Sequence, residues 1–216
     1  MSLPFIILGG GGHALVVLDV LESMGASVRG YCDPQQSRHL PATLEWIGND
    51  DDLLALGPQA AVLACGIGST GSAKVRRAVF ERFSAAGFGF PALRHASATV
   101  SPRAQLGDGT VVMMGACVQP GARIGKNVIV NTGSRIDHDC VVGDHSHVAP
   151  GATLAGAVTL GEGVHVGAGA TVIQNKSVGI GAVVGAGACV VGDVPGGALV
   201  IGVPARERRA DSNVRG

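Results

Sequence analysis

Hydrophobic positions follow two different periods along the chain, and the change falls between residues 92 and 100. From Val100 to Val190 an aliphatic residue returns at every sixth position without a gap. The series comprises Val100, Leu106, Val112, Val118, Ile124, Val130, Ile136, Val142, Val148, Leu154, Leu160, Val166, Val172, Val178, Val184 and Val190. Four residues after each aliphatic comes a small or compact residue, such as Ala116 or Ser134, with Lys176 as the one clear break. Neither an α-helix, with a period of about 3.6, nor a simple strand, with a period of about 2, satisfies a repeat of six.

The first part of the chain alternates short apolar runs with longer amphipathic stretches. The runs Leu3–Leu8, Val28–Tyr31 and Ala60–Ala64 predict buried strands, and the stretches Ala14–Met24 and Ser72–Ala86 predict helices. In the second helix we expect the charged residues on the solvent-exposed side, namely Lys74, Arg76, Arg77, Glu81 and Arg82. This alternation predicts a small parallel sheet of the Rossmann type.

The two periods divide the chain into segments. We expect a Rossmann-like α/β domain over residues 1–92, a linker over 93–99, a repetitive β-domain over 100–195 and a tail over 196–216. The last residues, 210–216, are expected to be disordered. Lys176 could mark a local bulge in the repetitive domain.

Four consecutive glycines stand between the first predicted strand and the first predicted helix. Gly9-x-Gly11-x-x-Ala14 fits the dinucleotide-binding pattern, and Asp33 follows the next strand, where a ribose-binding acid belongs. Glycines let backbone N–H groups approach a phosphate at the positive end of the helix. The pattern indicates a phosphate rather than a nicotinamide, because the sheet ends without a second mononucleotide half. His13 could hydrogen-bond the phosphate or sugar of a ligand, or simply be a surface residue at the helix start.

Composition and charge narrow the class of protein. Hydrophobic residues make up 46% but aromatic residues only 3%, so the core must be assembled from many small aliphatic contacts, as in a repetitive architecture. Sixteen basic and 16 acidic residues give no net charge, which argues against nucleic-acid or membrane partners.

The cysteine pattern and the lengths of the apolar runs indicate the cellular compartment in which the protein is expected. The five cysteines form no CxxC pair, which argues for a reducing compartment and against a disulfide framework or zinc site. The apolar run at residues 5–8 is too short for a signal peptide, and no run approaches the roughly 20 residues of a membrane span. We therefore expect a soluble, cytoplasmic protein without membrane insertion.

The repetitive half contains four histidines, and one of them meets the requirements of a general base. His138 occupies the third position of its six-residue repeat, between Asp137 and Asp139. A carboxylate beside an imidazole fixes its tautomer and stabilises the imidazolium. The alternative is a solvated polar residue at the surface of the repetitive domain. His147 and His165, 18 residues apart, could line a groove or be paired surface residues.

The glycine-rich Rossmann-like half followed by hexads resembles the hexapeptide-repeat bacterial sugar acyltransferases over nearly the whole chain. That group includes PglD-like and GDP-perosamine N-acetyltransferases and sialic acid O-acetyltransferases. The resemblance implies a left-handed parallel β-helix with three hexads per coil, whose first and fifth hexad residues point inward. It also implies a nucleotide-sugar site in the N-terminal domain, acetyl-CoA on the β-helix, and a homotrimer with active sites at subunit interfaces.

The resemblance also assigns site residues. The family pattern matches at Asn131, Thr132, Ile136, His138, Asp139 and Cys140. It places the catalytic base on His138 with Asp139 in place of the usual glutamate, one methylene shorter. To acetyl-CoA we assign His147, Gly156, whose N–H would face the thioester carbonyl, and Ala168. To the nucleotide sugar we assign Gly10, Gly11, Gly12, His13, Asp33 and Asn131. The basic residues that could meet CoA phosphates are Lys126, Arg206, Arg208 and Arg209, and no metal is expected.

The resulting functional hypothesis is an acetyl-CoA-dependent N-acetyltransferase. It would acetylate the amino group, at C4, of a nucleotide-linked amino-dideoxy sugar, such as GDP-perosamine or a UDP-4-amino-4,6-dideoxy sugar. Transfer would be direct, because Cys140 occupies an inward position and is expected in the core. The alternatives are O-acetylation of sialic acid or another sugar, and a non-catalytic β-helix binding protein. The nucleotide base, the stereochemistry at C4 and the choice between Asp137 and Asp139 as the orienting acid stay open.

Overall fold

A computed structural model of the chain describes residues 3–208. Arg209 and the segment 210–216, for which we predicted a phosphate contact and disorder, lie outside the described residues. Within residues 3–208, no helix has the length and apolar character needed to cross a membrane. The described chain forms an α/β N-terminal domain followed by a three-sided parallel β-helix, as the hexad period predicts.

The N-terminal domain is a four-stranded parallel sheet in the order β3-β2-β1-β4. Its strands are β1 (Phe5–Leu8), β2 (Val28–Cys32), β3 (Glu45–Gly48) and β4 (Val62–Cys65), and its helices are α1 (Gly12–Ser23), α2 (Asp50–Leu56) and α3 (Lys74–Ala85). The predicted strands and both predicted helices are confirmed, with ends shifted by a few residues.

Two elements of this domain have no counterpart in the prediction. Strand β3 lies at the sheet edge and its first two residues are exposed, so it carries no clear apolar run. Helix α2 is only seven residues long and depends on a cap, because the Asn49 side chain accepts from the backbone N–H groups of Asp51 and Asp52. Both are stabilised by edge pairing and capping rather than by a periodic hydrophobic face.

The β-helix consists of very short strands. They are β5 (Leu93–Arg94), β6 (Thr99–Val100), β7 (Gln105–Leu106), β8 (Val111–Val112), β9 (Cys117–Val118), β10 (Arg123–Ile124), β11 (Ile129–Val130), β12 (Arg135–Ile136), β13 (Val141–Val142), β14 (His147–Val148), β15 (Thr153–Leu154), β16 (Thr159–Leu160), β17 (His165–Val166), β18 (Thr171–Val172), β19 (Ser177–Val178), β20 (Val183–Val184), β21 (Cys189–Val190), β22 (Leu199–Ile201) and β23 (Arg206–Glu207).

From β5 to β18 each strand pairs in parallel with the strand three places further along the chain. Residue 129 therefore pairs with residue 147, and residue 147 with residue 165. This register builds three sheets, which we name the first (β5-β8-β11-β14-β17-β20-β22-β23), the second (β6-β9-β12-β15-β18-β21) and the third (β7-β10-β13-β16-β19). One coil thus contains three hexads, one for each sheet, which is the arrangement of a left-handed parallel β-helix.

The two inward positions of the hexad form one continuous core. The aliphatic first position is buried from Val112 to Val190, and the small fifth position is buried from Ala116 to Ala188, apart from Lys176. Lys176 produces no bulge, because Thr159 still pairs with Ser177 and donates its N–H to the Lys176 carbonyl. The core is therefore built from stacked aliphatic side chains without aromatic residues.

Each hexad turns its corner at the fourth residue, which has a positive φ. From residue 109 to residue 187 these corner residues are Gly109, Gly115, Gly121, Asn127, Gly133, Asp139, His145, Gly151, Ala157, Gly163, Gly169, Asn175, Gly181 and Gly187. Glycine adopts this backbone conformation without the steric cost of a Cβ atom, which accounts for much of the glycine content. The corners without glycine are consequently places where a side chain is present despite that cost.

The β-helix extends beyond the hexad series at both ends. Strand β5 lies inside the segment predicted as a linker and pairs with β8, and β22 lies inside the predicted tail and pairs with β20. At the C-terminal end the spacing changes, because residue 183 pairs with residue 199 across a coil two residues shorter than the others. At the N-terminal end the spacing of 18 residues is kept, but Arg94 stands where the series would have an aliphatic residue. A strict period of six therefore does not detect the first and last strands.

The N-terminal domain packs against the outer face of the first sheet. Val111, Met113 and Ile129 share an apolar cluster with Val17 and Leu21 of α1. The Arg76 side chain of α3 reaches across the junction and donates to the backbone carbonyls of Asn127, His145 and Ser146. The prediction that Arg76 lies on the solvent side of its helix is wrong, since it is 1% exposed. Apolar packing and this buried guanidinium hold the two domains together.

Close stacking of the coils depends on glycines at one corner of the β-helix. Gly107, Gly125, Gly143, Gly161 and Gly179 each follow the inward aliphatic residue of a third-sheet strand. A Cβ atom at any of them would lie within 2.6 Å of an atom of the next coil.

We expect the substitution Gly143→Ala to destabilise the fold by about 1–3 kcal/mol, because overpacking forces backbone shifts. Its Cβ atom would lie 2.5 Å from the Gly161 carbonyl carbon. Gly192→Ala is the matched control, because neither glycine has a positive φ and nothing lies within 4 Å of a Cβ atom at Gly192. Denaturant unfolding of both variants measures the difference, and equal stabilities would contradict the steric explanation.

Candidate active site

The glycine turn joins β1 to α1 and leaves an open space above the helix start. Helix α1 begins at Gly12, its N-cap is Gly11, and no side chain caps it. Cβ atoms at Gly11 or Gly12 would meet nothing within 4 Å. Exposed backbone N–H groups at the positive end of a helix form a ready site for a phosphate.

Asp33 lies beside this turn, as the sequence predicts. Its carboxylate accepts the Gly10 N–H at 2.8 Å with one oxygen and the Gln35 N–H at 3.0 Å with the other. The Ser37 hydroxyl donates to the Gly10 carbonyl at 2.6 Å. These bonds fix the conformation of the turn from the loop that follows β2.

His147 lies in the crevice between the N-terminal domain and the first sheet, and both of its ring nitrogens are hydrogen-bonded to other residues of the protein. Nδ1 lies 2.9 Å from the Ser69 carbonyl oxygen, and Nε2 lies 2.9 Å from Nδ2 of Asn131. A carbonyl can only accept, so Nδ1 carries the proton and Nε2 accepts from the Asn131 amide. Asn131 Oδ1 in turn accepts the Thr132 N–H at 2.8 Å. His147 thus connects the loop after β4 to Asn131.

His13 and His165 border the same crevice. The His165 ring meets His147 edge-on, with ring centroids 4.9 Å apart. His13 Nε2 and His165 Nδ1 are buried without a partner among the described residues. Burial lowers the pKa of His13 to about 4 and that of His147 to about 3, and it also lowers the pKa of His165. These imidazoles are neutral at pH 7, and of the three only His147 is hydrogen-bonded within residues 3–208.

His138 projects from the corner between the second and third sheets. Its side chain is 60% exposed, and Nδ1 lies 2.9 Å from Asp139 Oδ2. Asp139 has a φ of 59°, and with this left-handed backbone the carboxylate reaches the ring despite its shorter side chain. Asp137 accepts the backbone N–H of His138 instead. The hydrogen bond to Asp139, followed by the charge of Asp137, raises the pKa of His138.

Gly156 lies directly beneath the His138 ring, one coil further along. A Cβ atom on Gly156 would lie 2.6 Å from His138 Nε2 and 2.7 Å from Cε1, so only glycine leaves room for the ring. The Gly156 N–H donates to no acceptor within residues 3–208. A proton acceptor and a free N–H donor are therefore neighbours at this corner.

The predicted site residues fall into separate groups. The glycine turn, His13, Asp33, Asn131 and His147 border the crevice on the first sheet, whereas His138, Asp139 and Gly156 share the corner opposite that sheet. Ala168 is exposed at the corner between the first and second sheets. Of the basic residues proposed for CoA phosphates, Lys126 is exposed near the start of the β-helix, and Arg206 and Arg208 are exposed at its end.

Two residues of the crevice have no counterpart in the sequence prediction. Ser69 belongs to the glycine- and serine-rich loop after β4, whose composition is typical of a binding loop and could have indicated it. Arg76 carries no such signal, because a charged residue on an amphipathic helix predicts exposure. Within residues 3–208, no cluster of His, Cys, Asp and Glu could hold a metal ion.

Comparisons with known proteins identify the family. The PglD N-terminal domain model matches residues 4–83, and the bacterial transferase hexapeptide (six repeats) model matches residues 103–138 and 139–174. The acetyltransferase domain of PglB from Neisseria gonorrhoeae, also solved with acetyl coenzyme A, is 36% identical, and the alignment covers 95% of this chain and 99% of that one, with a TM-score of 0.87. No curated protein matches the sequence.

A second relative adds a named sugar substrate. It is a histidine-to-alanine mutant of GDP-perosamine N-acetyl transferase from Caulobacter crescentus, in complex with CoA and GDP-perosamine. The identity is again 36%, with 96% of this chain and 97% of that one covered and a TM-score of 0.88. WeeI from Acinetobacter baumannii, at 24% identity and a TM-score of 0.86, shares the fold. The chain belongs to the hexapeptide-repeat bacterial sugar acetyltransferases and is an N-acyltransferase.

We expect the unfolding free energy to fall as pH is lowered from about 6.5 to about 4. Unfolded histidines take up protons below a pKa of about 6.5, whereas folded His13 and His147 do not until about 4 and about 3. His147→Gln should flatten this dependence, and His39→Gln, which changes an exposed residue, should leave it unchanged. Denaturant titrations at several pH values measure the slopes, and equal slopes for both variants would contradict the assignment.

Proposed function

We propose that this protein transfers the acetyl group of acetyl-CoA to the amino group of a nucleotide-linked amino sugar, with His138 as the general base. The observation that carries the proposal is the His138–Asp139 pair, with the His138 ring over a glycine whose N–H is free. The relatives solved with acetyl coenzyme A, and with CoA and GDP-perosamine, support the two substrates. The acceptor is the C4 amine of an amino-dideoxy sugar linked to GDP or UDP.

The mechanism is a direct transfer at the His138 corner. The sugar amine attacks the thioester carbonyl carbon, and His138 Nε2 accepts the proton that the amine loses. Asp139 keeps the proton on Nδ1 and stabilises the imidazolium. The Gly156 N–H stabilises the oxyanion of the tetrahedral intermediate, whose collapse breaks the carbon–sulfur bond. The CoA thiolate then receives a proton from the imidazolium or from water.

An acyl-enzyme on a cysteine at this corner is disfavoured. Cys140 is fully buried, and its thiol donates to the Ala155 carbonyl at 3.1 Å. Burial raises the pKa of Cys140, so its thiolate form is scarce at neutral pH. The five cysteines are all free, which suits the reducing cytoplasm that we propose as the compartment.

The N-terminal domain binds the nucleotide sugar in this proposal. The N–H groups of Gly11 and Gly12 hold its diphosphate at the start of α1, whereas the predicted Gly10 N–H already donates to Asp33 and is not available to the ligand. The carboxylate of Asp33 borders the ribose. His13 and Asn131 face the sugar from either side of the crevice. Acetyl-CoA extends along the β-helix from Gly156 toward Ala168 of a neighbouring subunit.

A homotrimer is part of the proposal, because one chain cannot complete the site. The crevice lies on the first sheet, and His138 projects from the corner opposite that sheet, with the β-helix between them. A sugar bound in the crevice of one protomer can reach a His138 only on another protomer. Packing three β-helices around a common axis supplies such a neighbour to every crevice.

The experiment that tests the reaction is thiol release from acetyl-CoA with a panel of acceptors. The panel contains UDP- and GDP-linked 4-amino-4,6-dideoxy sugars and free sialic acid. We expect rapid release with one of the amino sugars, which identifies the nucleotide and the sugar together. Turnover of sialic acid alone would instead establish an O-acetyltransferase. If no acceptor causes thiol release although acetyl-CoA binds, the result would favour a non-catalytic binding role for the same fold.

A co-expression experiment tests whether the site is formed by the crevice of one protomer and His138 of another. We expect His138→Asn to lower kcat by about 10²–10⁴-fold with both substrates still bound. Gly11→Glu should abolish nucleotide-sugar binding, because it places a negative charge in the open space above the turn. When the two variants are co-expressed in equal amounts, about a quarter of the sites regain an intact crevice and an intact His138. Activity no higher than that of the separate variants would assign the whole site to a single protomer.

A further inference from the structure

The corner that carries His138 and Asp139 repeats in successive coils with different residues. Gly121, Asp139, Ala157 and Asn175 occupy equivalent positions between the second and third sheets, 18 residues apart. All four have a positive φ, of 77°, 59°, 57° and 57°. This corner therefore accommodates aspartate, alanine and asparagine in the left-handed conformation. Backbone conformation alone does not explain why residue 121 is a glycine.

The surroundings of Gly121 explain why a side chain is excluded at this position. A Cβ atom on Gly121 would lie 2.4 Å from Asp139 Oδ1 and 3.4 Å from Asp139 Cγ. The first distance is far shorter than van der Waals contact. One carboxylate oxygen of Asp139 thus occupies the space that a side chain at residue 121 would fill, while the other lies 2.9 Å from His138 Nδ1.

The two carboxylate oxygens belong to one rigid planar group. Displacing Oδ1 from the space above Gly121 therefore rotates Oδ2 away from His138. We propose that Gly121 is a positioning residue, which leaves the space that holds the Asp139 carboxylate against the catalytic imidazole. This inference rests on the proposed function of His138 as the general base. Gly121 itself touches neither substrate and acts through Asp139.

The β-helix offers a matched control for this corner. Gly163 also has a positive φ, of 66°, but a Cβ atom there would meet nothing within 4 Å. It lies at the corner between the third and first sheets, away from His138. Gly121→Ala and Gly163→Ala therefore share the backbone cost of an alanine at positive φ and differ in the clash with Asp139.

We expect Gly121→Ala to lower kcat/KM by about 10- to 100-fold, because a small misplacement of a catalytic group has effects of that size. Gly163→Ala should stay within about threefold of the unmodified enzyme. The pH profile gives a second readout. His138 must be neutral to accept a proton, and losing the Asp139 contact lowers its pKa. The acid limb of kcat/KM should therefore shift to lower pH in Gly121→Ala and not in Gly163→Ala.

A double-mutant cycle with Asp139→Ala separates the effect of the steric clash with Asp139 from any general loss of structure caused by Gly121→Ala. Alanine fits this corner, as Ala157 does one coil further on. In the Asp139→Ala background, Gly121→Ala should cost no more activity than Gly163→Ala, because no carboxylate remains to displace. If Gly121→Ala alone fails to fold, folding of the Gly121→Ala/Asp139→Ala double variant would support the same contact.

Other outcomes would overturn the inference. Equal rates and equal pH profiles for Gly121→Ala and Gly163→Ala would remove Gly121 from this role. So would an effect of Gly121→Ala that persists undiminished without the Asp139 carboxylate, or a double variant that fails to fold while Gly163→Ala folds. If His138→Asn and Asp139→Ala leave the rate and the pH profile unchanged, the result would contradict the proposed function of His138 itself rather than the role of Gly121.

Discussion

Residue i of one coil lies over residue i + 18 of the next, and this register determines the geometry of the candidate site. It results from burying an aliphatic and a small residue in every hexad, since a slip of one residue would turn the core side chains outward. The same register places the His138 ring over Gly156 and the Asp139 carboxylate over Gly121. It also brings His147 against His165. The acid–base pair is therefore positioned by the backbone of neighbouring coils rather than by a shell of large side chains.

The docking of the N-terminal domain adds a second constraint. An apolar strip on the first sheet and the buried Arg76 guanidinium hold the glycine turn on one side of the β-helix. Within residues 3–208 no carboxylate pairs with Arg76, and its guanidinium donates to backbone carbonyls instead. Burial lowers its pKa to about 10. Because this docking covers the sheet opposite the His138 corner, the crevice and His138 lie on different sides of the β-helix. This separation is the reason why the proposed function includes a neighbouring subunit.

The sequence predicted the repeating coils and the elements with a clear hydrophobic period, and it missed elements that depend on a single pairing, cap or distant contact. The hexad period identified the repeating unit, because every coil supplies the same information, and the family resemblance assigned its two inward positions and the outward direction of His138. The positions of β5, β22 and α2 were not predictable in this way. Strand β5 pairs with β8 outside the aliphatic series, β22 follows a shortened coil, and α2 depends on a side-chain cap. Arg76 was misassigned because its partners are backbone carbonyls more than 50 residues away, which no local pattern encodes.

Burial decides which of the histidines in this protein can serve as a base. His138 and His147 are only nine residues apart in the same repeat, yet their environments act on the imidazole in opposite directions. His147 is 7% exposed, and desolvation lowers its pKa to about 3, so it stays neutral and is a very weak base. His138 is exposed, and its carboxylate neighbours raise its pKa, so it binds a proton readily and can release it to the solvent or to a thiolate. A tight crevice suits recognition of a sugar, whereas proton transfer needs a solvated imidazole beside a carboxylate. The separation of the two groups on the β-helix thus gives each histidine the environment that its proposed role requires.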